Sequence, residues 1–250
     1  MIRKDSSYNL FSLYKETVQA DHGICIHDFG KFKVLENRTS AWPPNIAYDI
    51  NTDYLDERLI NSIEYEMNNL GLHPFVIGEL KNDDLEVFEK HGFKPIEQWL
   101  EMQLIGLELP KKIRQPDEVE TFLIDEGEFD EWTAIVSRVL FKGKTLDSKI
   151  FRHLETKGAK IAGMKVNGKW AGTSVTYLDD QGGAGIYMVC IDEEYRGKGF
   201  GKWLVNISLE EIKKSGINRC FLQSTKKGIN LYKSMKFEKT GNYYLYWKIK

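Results

Sequence analysis

Three consecutive stretches decide the fold of this chain: Ile186-Tyr187-Met188-Val189-Cys190-Ile191, Asp192-Glu193-Glu194-Tyr195 and Arg196-Gly197-Lys198-Gly199-Phe200-Gly201. The first is a nearly continuous apolar run, which suits a strand buried on both faces and central in its sheet. Behind the glycines, Trp203, Leu204, Ile207, Leu209 and Ile212 recur at helical spacing, and Lys213-Lys214-Ser215-Gly216 closes that helix with cations and then glycine. A strand, an arginine with three glycines in six residues, and a helix together present backbone N–H groups and a helix N-terminus to an anion. Glycine removes the Cβ that would hold a phosphate away, and the helix dipole adds roughly half a positive charge at that end. Arg196, Lys198 and Lys202 add cations around the same point. A merely tight strand-to-helix connection would account for one or two glycines, but less well for three at alternate positions.

The spacing separates this loop from two other phosphate loops. A Walker loop needs Ser or Thr after Gly-Lys to reach magnesium, and Gly201-Lys202 is followed by Trp203. The dinucleotide fingerprint GxGxxG spaces its glycines unequally, whereas Gly197, Gly199 and Gly201 stand two apart, with no acidic residue closing a clear second strand downstream.

Outward from the loop, residues 119–124 are β-rich, and Phe129, Trp132, Ile135, Val136, Val139 and Leu140 line one side of a helix closed by Gly143. Residues 160–166 and 170–178 form a hairpin about Asn167-Gly168. After the loop helix come a strand at Cys220-Phe221-Leu222, a short helix over 229–235 and a terminal strand over 243–249. Breaks at Leu109-Pro110 and Gln115-Pro116 divide the chain into expected domains 1–112 and 113–250. Residues 85–104 overlie 229–248 at an offset of 144, matching Phe88 with Tyr232, His91 with Met235, Phe93 with Phe237, Trp99 with Tyr243 and Leu100 with Tyr244. That correspondence predicts an internal duplication, and the first copy lacks the glycine loop.

The loop and its flanks resemble the Gcn5-related N-acetyltransferase family, whose coenzyme A loop runs Arg or Gln, two residues, Gly, one residue, Gly or Ala. Arg196, Gly199 and Gly201 occupy the fixed positions, and Leu231-Tyr232-Lys233-Ser234-Met235-Lys236-Phe237 is similar to the family's Leu-Tyr-x-x-x-Gly-Phe. Lys236 in place of glycine and Thr225 in place of a frequent asparagine are departures. The resemblance implies an α/β (α+β) fold: a mixed, mostly antiparallel central sheet with helices on both faces, here duplicated with a degenerate first copy.

It also implies acetyl-CoA as donor co-substrate, held by Val189, Cys190 and Ile191 along the strand, by Arg196 through Lys202 at the pyrophosphate, and by Thr225. A primary amine on a small molecule or peptide would attack the thioester directly, with Tyr232 returning a proton to the departing thiolate. Lys226-Lys227 would face solvent or the 3′-phosphate. Cys190 reads as an inert strand cysteine. Glu126, Glu128, His153 and Glu155 are undistinguished candidates for a base. A non-catalytic acyl-CoA sensor or scaffold is the alternative from another class, and a nucleotide-binding regulator a third.

Composition sets the outer limits. The 35 basic against 37 acidic side chains leave a formal charge of −2, which gives no global field for nucleic acid or an anionic membrane. The apolar runs fall short of the ~20 residues that span a bilayer, and no signal-peptide pattern opens the sequence, so a cytoplasmic address is expected. Cys25, Cys190 and Cys220 carry no metal-ligand or disulfide spacing, and no metal is expected. Trp42-Pro43-Pro44-Asn45 reads as a rigid packing or interface turn. The protein is expected as a monomer, or as a homodimer if exposed terminal strands pair.

Overall fold

The computed structural model describes residues 6–80, 82–107 and 115–249. Leu109-Pro110 and the division after residue 112 lie outside them. Gln115-Pro116 leads into a turn at Asp117-Glu118, closed by Val119 N–H on the Pro116 carbonyl at 3.0 Å.

The first half runs α1 (Ser6–Val18), β1 (Ile24–Asp28), β2 (Lys33–Asn37), β3 (Ile46–Tyr48), α2 (Glu57–Asn69), β4 (Phe75–Gly78), α3 (Asn82–Lys90) and β5 (Phe93–Ile105). The second runs β6 (Val119–Leu123), α4 (Phe129–Leu140), α5 (Ser148–Thr156), β7 (Lys160–Val166), β8 (Lys169–Leu178), β9 (Ala184–Ile191), α6 (Phe200–Lys214), β10 (Arg219–Ser224), α7 (Ile229–Ser234) and β11 (Glu238–Lys248). All strands join one 11-stranded sheet in the order β1-β2-β3-β4-β11-β5-β10-β9-β8-β7-β6. It is antiparallel except at β3–β4 and β9–β10. Core clusters lie on both faces: α1, α4 and α5 contribute to one, while α2 and α3, and α6 and α7, contribute to others.

The halves exchange strands, because β11 lies between β4 and β5 while β5 pairs with β10. The pairing of β5 with β11 follows a local dyad. Tyr243 faces Trp99; outward from them Tyr244 faces Gln98 and Asn242 faces Leu100, Leu245 faces Glu97 and Gly241 faces Glu101, and Tyr246 faces Pro95 and Lys239 faces Met102. Each couple converts into the other when 144, the separation of the hydrogen-bonded Gln98 and Asn242, is added to one number and taken from its partner. The register shifts obey the same relation. So do the helix-to-strand joints: Phe88 meets Phe93 edge-on with centroids 5.6 Å apart, as Tyr232 meets Phe237 at 5.7 Å. Lys236, where the family pattern has glycine, takes a left-handed φ of 67°, and Gly92 takes 73° at the matching place.

The hairpin forms as expected, with Asn167 and Gly168 at φ 49° and 75°, the mirror-image turn that suits strand twist. Other expectations are corrected. The middle of the sheet is β5 rather than β9, because the exchanged β11 shifts the centre. Tyr187, Met188 and Val189 are half-buried rather than covered on both faces. The buried stripe of α6 runs through Phe200, Leu204, Val205, Ser208, Leu209 and Ile212, leaving Trp203 and Ile207 half-exposed. Ser208 is turned inward because its hydroxyl meets that of Ser174 on β8 at 3.1 Å. The terminal strand begins at Glu238 and is interior, so it offers no exposed edge. Helix α5 was not anticipated; Asp147 caps it by accepting from Lys149 N–H at 2.9 Å, and Ile150, Phe151 and Leu154 are its buried face.

Candidate active site

The acidic segment after β9 folds as one 3-10 turn, Glu193–Tyr195, with Tyr195 buried. Asp192 precedes it and pairs with Arg138 of α4. Burial works to raise the Asp192 carboxyl, but the Arg138 hydrogen bond and charge, with backbone N–H groups of Glu193 and Glu194, outweigh it and hold the carboxyl below its usual range. This pair fixes the strand end from which the loop departs.

Within the loop, Gly197 and Gly199 take φ of 77° and 80°, and a Cβ on either would meet nothing within 4 Å. Gly199 is also the N-cap of α6, and no side chain caps that helix. Lys202 N–H donates to the Gly199 carbonyl at 3.1 Å, and the N–H groups ahead of it have no side-chain cap among the described residues, the arrangement that favours an anion. Gly201 has a different reason to be glycine: a Cβ there would come within 3.1 Å of Leu231 on α7, so it serves helix packing. Phe200 is a buried anchor. The cations are less uniform than their spacing suggested. Arg196 Nε donates to the Ile191 carbonyl at 2.9 Å and braces the loop against β9. Lys198 Nζ lies 5.6 Å from the centre of the Tyr195 ring. Lys202 is exposed on the first turn of α6.

Strands β9 and β10 pair only at Ala184–Cys220 and Gly185–Phe221, then splay, so β9 from Tyr187 to Ile191 has no strand on that side. On its other side β9 loses register with β8 between Tyr187, paired with Val175, and Cys190, paired with Thr173. Met188 adopts φ 51° in this bulge, and Thr173 Oγ1 donates to its carbonyl at 2.9 Å. Sequence reasoning missed Thr173, which has no motif of its own. Cys190 is buried 3.0 Å from the Thr173 hydroxyl, and burial pushes its thiol up to about 11, so it stays neutral.

Tyr232 lies in the cluster that includes Ile186 and Leu222, with Val189 packed against it, and burial raises its hydroxyl well above the ordinary value. The structure thus places Tyr232 and Val189 about one apolar cluster. Thr225 is exposed after β10, its carbonyl accepting from Gly228 N–H and the Ser224 hydroxyl at 2.9 Å each; Lys226 and Lys227 are exposed too. Of the suggested bases, Glu126 pairs with Arg152 and Glu128 with Lys165 at 2.8 Å. Glu155 is exposed, and His153 is half-buried with an Nε2 that has no partner among the described residues.

A bulged strand open on one edge, a glycine loop and a helix N-terminus without a side-chain cap meet here in an α/β fold. Residues 124–237 match the model of the acetyltransferase (GNAT) family, and the chain carries a domain of that family there. No curated protein matches the sequence. Among solved structures, the chain is similar to a GCN5-related N-acetyltransferase from Kribbella flavida, at 12% identity and TM-score 0.73 over 99% of this chain and 97% of that one. It is similar to one from Sphaerobacter thermophilus at 13% identity and TM-score 0.66, over 88% and 81%. A tandem GNAT protein from the clavulanic acid biosynthesis pathway aligns at 14% identity and TM-score 0.61, over 94% and 86%. These likenesses show the fold along nearly the whole chain. Among the described residues no helix is long and apolar enough to cross a membrane.

Proposed function

We propose that residues 113–250 are an acetyl-CoA-dependent N-acetyltransferase domain, acting on a primary amine of a small molecule or peptide, and that 1–112 are a degenerate copy without the cofactor loop. The observation that carries this reading is the uncapped N-terminus of α6 behind Gly197 and Gly199, in line with the unpaired edge of β9. The residues fit the donor: open N–H groups and left-handed glycines for a pyrophosphate, a free strand edge for an amide-bearing arm. Acetyl-CoA supplies the activated acetyl group.

The bulge at Met188 and Val189 supports a backbone N–H there as the group that stabilises charge on the acetyl carbonyl oxygen. The amine nitrogen bonds to the acetyl carbon as the carbon–sulfur bond breaks, within one ternary complex. Tyr232, held protonated by burial, gives a proton to the leaving sulfur. The amine's own proton leaves through water. The acidic Glu126 and Glu128 are engaged by cations and are not needed for that step.

Thiol release from acetyl-CoA, followed over a panel of primary amines, tests the reading. Tyr232→Phe should lower kcat by about 10²-fold or more, the scale of general acid catalysis, with coenzyme A affinity retained. Coenzyme A binding with no release above that variant on any amine would leave a binding module in place of an enzyme.

A further inference from the structure

Helix α1 belongs to the first half by sequence but lies across the cleft of the second. Ser6 Oγ accepts from Gln223 Nε2 of β10 at 2.6 Å. One turn on, Asn9 Oδ1 accepts from the Tyr187 hydroxyl of β9 at 2.6 Å, and Asn9 Nδ2 donates to Asp179 Oδ2 at 2.7 Å. Asp179 is itself fixed, its Oδ1 accepting the N–H groups of Gln181 and Gly183 at 2.9 Å each. Residues three apart share a helix face, so one face of α1 grips both strands whose divergence opens the cleft. Ser6 and Asn9 are wholly buried. Gly185 admits the contact, because a Cβ there would fall on Asn9 Oδ1 and on the Tyr187 ring.

The grip adjoins the bulge. A left-handed φ is unfavourable for a residue other than glycine, and such a conformation persists only where the surroundings over-determine it. Met188 is bracketed by two anchors: Thr173 on its carbonyl from β8, and Tyr187 before it, tied to Asn9 of the first half. Apolar packing would let the strand slide, whereas a buried chain of directional hydrogen bonds fixes one position.

We propose that the Ser6–Asn9 face of α1 is a staple across the cofactor cleft, and that Asn9 and Tyr187 are positioning residues holding the Met188 bulge at the angle that aims its N–H at the acetyl carbonyl. This rests on the acetyl-CoA reading above. The first half is then part of the second half's active site.

Infrared difference spectra of protein-bound acetyl-CoA carrying 13C in the acetyl carbonyl test this without an acceptor. In the unaltered protein the carbonyl stretch should fall below its value for free acetyl-CoA. Tyr187→Phe keeps the ring and removes the hydroxyl; it should lose most of that shift while coenzyme A affinity stays within about threefold. N9D sets a second carboxylate against Asp179 and should do the same. The double variant N9D/D179N should restore the shift: the position-9 carboxylate accepts from both the Tyr187 hydroxyl and the position-179 amide, whose carbonyl keeps the N–H groups of Gln181 and Gly183. If N9D fails to fold, Tyr187→Phe and the double variant carry the test. A full shift in Tyr187→Phe, a folded double variant without the shift, or an affinity loss of about tenfold or more alongside a lost shift would overturn the staple. Absence of binding or of any carbonyl shift in the unaltered protein would instead overturn the acetyl-CoA reading.

Discussion

Replacing Gly199 by valine separates the backbone demand of the loop from its ligand demand. Gly199 sits at φ 80° and ψ 0°, so an L-residue there costs about 1–2 kcal/mol in the folded state, and a β-branched one more. The built Cβ meets no atom of the protein within 4 Å, so the side chain adds no clash of its own. Only an anion approaching the N–H groups of α6 would feel it. Gly158, after α5, is a matched control: its φ is 91° and its surroundings are equally empty. Gly158→Val and Gly199→Val should therefore both melt lower, by about 2–4 °C for each kcal/mol in a chain of this size. Only Gly199→Val should weaken coenzyme A, by at least about tenfold or 1.4 kcal/mol. Calorimetric titration below both melting temperatures, with circular dichroism as the check on folding, reads the two effects separately. Unchanged affinity in Gly199→Val would remove the loop from the site, and an equal loss in Gly158→Val would reduce the effect to general destabilisation.

A thiol reagent at pH 8 should modify the exposed Cys25 quickly and spare Cys190 and Cys220, whose thiols burial pushes up, Cys190 to about 11; fast labelling of a second thiol in the native protein would contradict the burial argument. The lowered carboxyl of Asp192 gives a signed pH dependence. Its stabilising contribution is complete above the unfolded value and is lost as pH falls through the depressed folded one, so Asp192→Asn should flatten the acid limb of a melting-temperature profile, and an unaltered limb would refute the pairing. Trp42 is buried and stacks on Phe151 with centroids 5.4 Å apart. Trp42→Ala should cost about 3–5 kcal/mol and move a single melting transition, whereas two transitions with one unmoved would show that the halves unfold independently.

Local chemistry in the sequence was legible wherever a few adjacent residues settle a conformation. Asn167-Gly168 specifies its turn, Lys213 through Gly216 ends its helix, and the glycines at 197 and 199 take the left-handed φ that favours them. The match of Trp99 with Tyr243 reappears in the strand register, and that of Phe88 with Tyr232 in the two helix-to-strand joints. Three kinds of feature were not legible. Gly201 looked like its neighbours, and only the approach of Leu231 gives it a separate role. The polar face of α1, with Ser6, Ser7, Asn9 and Thr17 buried, breaks the apolar periodicity by which a core helix is recognised. The exchange of β11 depends on contacts between residues more than a hundred positions apart, such as Tyr246 beside Val76, and local patterning carries no trace of these.

The same shift of 144 sets the loop beside a stretch of the first half that lacks its glycines. Shifted by 144, residues 196–201 fall on Thr52-Asp53-Tyr54-Leu55-Asp56-Glu57, and α6 falls on α2. The two helix N-termini are treated in opposite ways. In α2 the Asp56 carboxylate accepts from Leu59 N–H at 2.9 Å, and Glu57 adds a second negative charge in the first turn. That end is satisfied by the chain itself and repels a phosphate. In α6 no side chain among the described residues caps the end, and its first turn carries no acidic residue. Capping α2 strengthens the first half by about 0.5–2 kcal/mol; leaving α6 uncapped gives up that stability, as the proposed pyrophosphate site requires. In the proposed reading, a first half without the cofactor loop still presents α1 to its neighbour, through the hydrogen bonds of Ser6 and Asn9 to β10 and β9.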